Sequence, residues 1–155
     1  MNPTTLQAIR RLLFFTRAEA AQWIAAPSVS EEQWLRWEDG SAPLPEAVIQ
    51  RLQELNDWRS TALAATADNI RQQIREKGGV PEAILILWYQ RLEDWTSLPH
   101  REAVMWRIQQ SVSAALMGMF NTLRPVPFDA DEYCRWLNSR TDSESLRAEW
   151  VSTKN

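Results

Sequence analysis

Apolar positions recur at threes and fours along most of the chain, and prolines, glycines and short polar runs cut that pattern into helices. Leu6, Ile9, Leu12 or Leu13 and the phenylalanines predict a first helix from Thr5 to Phe15. Ala21 and Ile24 mark a second from Arg17 to Ala25, and Trp34 and Trp37 a third from Glu31 to Asp39 with both indoles in the core. From Pro45, the positions Val48, Leu52, Leu55, Ala62, Thr66, Ile70 and Ile74 predict one helix of roughly 30 residues, stopped by Gly78-Gly79. The period then changes. Ala83-Ile84-Leu85-Ile86-Leu87-Trp88-Tyr89 is a short apolar run bounded by breakers, and its length favours a strand over a short buried helix. A lone strand leaves an unpaired edge, so its expected partner is the same strand of another subunit. Helices from Arg91 to Ser97 and from Glu102 to Phe120 follow, the latter turning Val104, Met105, Ile108, Val112, Ala115, Leu116 and Met119 to a core. Pro125 and Pro127 predict a turn, and Tyr133, Trp136, Leu146 and Trp150 lie in two last helices, Ala130 to Asn138 and Glu144 to Val151, before a frayed Ser152 to Asn155.

The stretch from Thr16 to Gly40 organises the first half. Thr16 with Glu19, and Ser30 with Gln33, have the spacing of capping boxes, in which each side chain satisfies an orphan amide at a helix start. Ala25-Ala26-Pro27-Ser28 between them is long enough only for a turn, and Gly40 suits a left-handed helix end. Two short helices joined this way are the skeleton of a helix-turn-helix. Glu19, Ala21 and Ile24, then Trp37-Glu38-Asp39-Gly40, then Pro43 and Pro45, resemble the Cro and phage-repressor family of such domains over about residues 4 to 56. Leu6 to Leu12, and the run from Ile84 to Leu116 with Trp106-Arg107-Ile108-Gln109-Gln110-Ser111-Val112, are similar to a smaller group within it. That group includes repressors associated with phage anti-CRISPR genes and a hypothetical enterobacterial regulator family.

The resemblance implies a mainly α fold: a lambda-repressor-like head (1–60), a connecting helix, strand and dimerisation helix (61–122), and a helical C-terminal extension (123–155) without a family role. It also implies a homodimer formed by residues from about 80 to 120, with Ile84, Leu85, Ile86, Leu87, Trp88, Trp106 and Val112 as its contact residues. A dimeric head would set two third helices in successive major grooves of a two-fold operator. Glu31, Glu32, Gln33 and Arg36 would then face base edges, where glutamine bridges adenine, arginine reads guanine and a carboxylate accepts from cytosine. Thr16, Arg17, Ser30 and Ser41 are placed for phosphate or loop contacts.

Charge complicates this picture. The chain carries 17 basic and 20 acidic side chains over 155 residues. Within residues 1–60, Arg10, Arg11, Arg17, Arg36, Arg51 and Arg59 face Glu19, Glu31, Glu32, Glu38, Asp39, Glu46, Glu54 and Asp57, a net of −2. Such a head lacks the positive footprint that drives non-specific DNA affinity. The second reading is therefore a protein-interaction module on a helix-turn-helix scaffold that has lost DNA binding, with some of the nine tryptophans as interface anchors.

Other chemistry finds little support. His100 stands alone, so no second histidine completes a metal site, and Cys134 sits in no nucleophile motif and is expected buried or half-buried. Gly78-Gly79 lacks the spaced glycines and lysine of a phosphate loop. No enzyme and no cofactor is expected. One cysteine, no signal-peptide pattern and no long apolar run fit a cytoplasmic protein.

Overall fold

Caps and breakers set the helix boundaries in the computed structural model, which describes residues 1–154. Helix α1 (Pro3–Leu12) opens with proline in its first turn, and the Asn2 side chain accepts from the Thr5 amide at 2.8 Å. It ends earlier than the periodicity predicts, because Phe14 takes a positive φ of 68°. Helix α2 (Arg17–Trp23) has the full reciprocal box: Thr16 Oγ accepts from the Glu19 amide and Glu19 accepts from the Thr16 amide. At α3 (Glu31–Glu38) only half a box forms, with Ser30 Oγ accepting from the Gln33 amide. Helix α4 (Glu46–Glu76) is a single helix of 31 residues, about 46 Å at roughly 1.5 Å per residue.

The remaining elements are β1 (Ile84–Trp88), α5 (Leu92–Thr96), α6 (Ala103–Met119), β2 (Leu123–Pro127), α7 (Ala130–Leu137) and α8 (Glu144–Ser152). Helix α8 thus extends one residue into the segment expected to fray, and Asn155 lies outside the described residues. No helix among the described residues is long and apolar enough to cross a membrane.

The second strand corrects the sequence reading. The expected lone strand pairs within its own chain, in parallel, with β2 drawn from the segment expected to be a turn and a purely helical extension. The prolines are compatible with this because of their parity. The Ile84 amide donates to Thr122 O and the Phe128 amide to Trp88 O, whereas the Leu123 amide turns back to Phe120 O. Pro125 and Pro127 share Leu123's parity, so their missing N–H groups fall on the side away from β1, which an edge strand tolerates. The opposite edge of β1 has no strand partner among the described residues.

Both faces of this sheet are covered, as parallel sheets require. Ile84 and Ile86 join Ala67, Ile70, Val112, Leu116 and Leu123 between α4 and α6. Leu85 and Leu87 turn the other way, against an aromatic cluster of Tyr89, Trp95, Trp106, Phe128, Tyr133 and Trp150. Asp142 fastens α7 to α8 by accepting from the Tyr133 hydroxyl and from Arg147. Cys134, expected inside, is exposed: Tyr133, Trp136 and Leu137 take the inner face of α7.

Candidate nucleic-acid interface

Helices α1, α2 and α3 are tied together at one buried carboxylate. Glu38 accepts from Arg10 of α1, from Arg17 of α2 at 2.9 Å and from the Trp34 indole at 2.9 Å. Its side chain is only 1% exposed. Burial pushes the Glu38 carboxyl up, but the hydrogen bonds from Arg10, Arg17 and Trp34 outweigh it and hold the group at about 2. Trp34 and Trp37 meet edge to face with centroids 5.6 Å apart, filling the space beneath. Gly40 then leaves the helix at φ 80°, where a Cβ would come within 3.3 Å of Pro3 Cγ. The run Trp37-Glu38-Asp39-Gly40 is thus a packing device: core indole, charged hub, helix end and left-handed exit.

With Trp34, Trp37 and Glu38 turned inward, roughly 100° per residue fixes what α3 presents outward. Glu32 stands near the middle of the exposed arc, flanked by Leu35 and Arg36, with Glu31 at one margin and Asp39 two turns further along the middle at the helix end, all exposed. Gln33 is half-buried at the opposite margin. Arg36 makes no ion pair among the described residues, so its guanidinium is free to meet a ligand. The expected contacts around the helix starts are more committed. Thr16 and Ser30 are exposed, but their oxygens act as caps. Arg17 spends its Nε on Glu38, which makes it a structural residue of the hub. Ser41 is exposed and gives its amide to Asp39 at 2.8 Å.

The second half supports this surface from behind. Val104 and Ile108 of α6 belong to the same core as Leu6, Leu13, Trp34 and Leu52. Arg107 holds Glu19 at 2.8 Å, and Arg59 donates to Ser111 Oγ, which donates to the Leu12 carbonyl. Burial pushes the Glu19 carboxyl up and the Arg107 hydrogen bond pulls it further down, leaving it below the ordinary value.

The expected dimerisation residues divide into two sets. Ile84, Leu85, Ile86, Leu87 and Trp88 are all half-buried, beside an open strand edge. Grooves of about 380 and 320 Å³ run along it, lined by Leu85, Ala148 and Val151 in common. Trp106 and Val112 are corrected: they fill the chain's own core, and the Trp106 indole donates to the Tyr89 carbonyl at 2.7 Å.

The architecture is a helix-turn-helix head braced by a helical second half with a small parallel sheet. The model of the Aca2/YdiL-like family matches residues 1–122, and the chain belongs to this family. It is 31% identical over 118 residues to the uncharacterised protein YdiL of Escherichia coli K12, covering 75% of this chain and 92% of that one. It is 30% identical over 115 residues to the Aca2 repressor of Pectobacterium phage ZF40, covering 74% and 90% respectively. The family match stops one residue before β2, so the strand that completes the sheet lies outside it. Sequence reasoning missed Glu38 as the hub and Leu35 as an exposed residue, although the angular position of Leu35 relative to Trp34 and Trp37 carried that signal.

Proposed function

We propose that the chain is a sequence-specific DNA-binding transcriptional regulator, a repressor acting as a homodimer on a palindromic operator. The observation that carries this is the α3 surface: an exposed arc with a free Arg36, held at a fixed angle to α2 by the buried Glu38 hub. The relative named as a repressor supports the direction of regulation. Glu32, Gln33 and Arg36 are the base-reading residues, and Thr16, Arg17, Ser30 and Ser41 lie at the backbone-facing margins. Two protomers join along the open edge of β1, an unpaired row of amides and carbonyls that a second copy satisfies. The regulator needs no cofactor and performs no catalysis.

Exposed Glu31, Glu32 and Asp39 around one arginine favour a second reading, a protein-binding module without DNA affinity. One experiment separates the two. Purified protein is incubated with sheared genomic DNA at about 0.15 M salt, where weak non-specific binding is largely screened, and retained fragments are sequenced. Recovery of one palindromic motif supports the regulator; recovery of nothing from folded dimer refutes it in favour of the protein-binding module.

A further inference from the structure

Leu35 is the one apolar side chain on the outward arc of α3. It is 40% exposed and joins none of the three hydrophobic clusters, although Trp34 and Trp37 on either side of it are buried. Its neighbours in the arc are Glu31, Glu32, Arg36 and Asp39, so no apolar side chain of the arc covers the isobutyl group. A lone exposed leucine elsewhere on a surface would need no explanation. On the helix offered to a major groove it has a specific counterpart, because the thymine C5-methyl is the apolar group that base edges present there.

We propose that Leu35 reads a thymine methyl group, a specificity contact additional to those of Glu32, Gln33 and Arg36; this rests on the DNA-binding reading above. The arc then offers three different chemistries to three kinds of base edge. Glu32 accepts from a cytosine amino group, Arg36 donates to guanine O6 and N7, and Leu35 covers a methyl that neither charged side chain can use. Each half-site should accordingly contain a cytosine, a guanine and a thymine within reach of one helix.

The test uses the full chain and the operator recovered from the genomic selection. Thymines are replaced by deoxyuridine, one symmetric pair at a time, and affinity is measured by fluorescence anisotropy for wild type and Leu35→Ala. Since Leu35 is exposed and outside the core, the variant keeps the wild-type melt. Burial of one methyl corresponds to about fourfold in affinity per half-site, so one thymine pair should weaken wild-type binding about fifteenfold. Leu35→Ala should bind the unmodified operator more weakly and be insensitive to loss of that same methyl pair. Equal sensitivity in both proteins, or an operator with no methyl-sensitive thymine, overturns the role of Leu35 and leaves DNA binding standing. Failure to retain any DNA overturns the underlying reading and this one with it.

Discussion

Replacing Glu38 with glutamine tests whether the carboxylate hub holds the head together. The change keeps the shape and opens no cavity, so what is lost is charge. Glutamine leaves one neutral acceptor oxygen and turns the other into an NH2 donor, so Arg10, whose side chain is 8% exposed, would keep its hydrogen bond to the Phe15 carbonyl at 2.8 Å but face no counter-charge. Breaking a buried pair by removing one partner costs about 3–5 kcal/mol, because the other charge stays buried and unmatched. Against a typical total of about 5–15 kcal/mol this is a large fraction. For a chain of this size it corresponds to a fall in Tm of roughly 6–20 °C. Urea unfolding followed by tryptophan fluorescence and circular dichroism, at one protein concentration, reads the difference. The double variant Arg10→Met/Glu38→Leu removes the buried pair and should recover only part of the loss, because the Arg17 guanidinium and the Trp34 indole lose their acceptor. The pH dependence follows from the sign of the shift. Glu38 falls from an ordinary 4.5 to about 2 on folding, so its stabilisation is complete above about pH 4.5 and lost as pH drops through about 2. Wild type and Glu38→Gln should therefore converge in stability across that window. A loss under about 1 kcal/mol at neutral pH, or a gap that does not narrow in acid, would refute the hub.

Gln33→Ala and Arg36→Ala should each weaken operator binding by about 1–3 kcal/mol, the worth of a bidentate base contact, without changing the melt; unchanged affinity in both would remove them from the recognition surface. Gly40→Ala should destabilise by about 1–2 kcal/mol, since its φ of 80° disfavours a side chain and the new methyl would press on Pro3, and a neutral denaturation midpoint would contradict this. Ala148→Lys, at an exposed position lining both grooves beside the open edge of β1, should weaken the dimer in sedimentation runs and leave the monomer folded; an unaltered dimer would move the interface elsewhere.

What the sequence disclosed, and what it withheld, follows from the range of each signal. Helix periodicity and caps are local, so Thr16 and Ser30 mark their helices correctly and α4 is recognisable as one piece. Strand pairing is not local. Pro125 and Pro127 resemble turn residues until their N–H directions are set against β1, and that direction exists only once a partner strand is placed. Trp106 and Val112 belong to a region resembling dimerisation segments, yet fill their own core, because resemblance carries the segment without saying which face of α6 it exposes. On α3 the capped helix start announced Glu32 and Arg36. Leu35 is less legible, because a leucine in an amphipathic helix ordinarily reads as core.

The boundary at residue 60, natural in sequence, cuts through a packed core. Val104 and Ile108 of α6 complete the cluster that holds Trp34 and Leu52, and Arg107 and Ser111 reach Glu19 and the Leu12 carbonyl from the same helix. A fragment ending at residue 79 keeps the whole helix-turn-helix and α4 but loses both apolar side chains. At about 1.5–3 kcal/mol for each large apolar residue buried, the two account for roughly 3–6 kcal/mol. A head of that size starts with little in reserve, since small domains bury a smaller share of their surface. The fragment should therefore show helical circular dichroism without a cooperative melt and with poorly dispersed amide resonances. A sharp transition and a dispersed spectrum would show that the head stands alone, and that α6 braces its orientation without completing its fold.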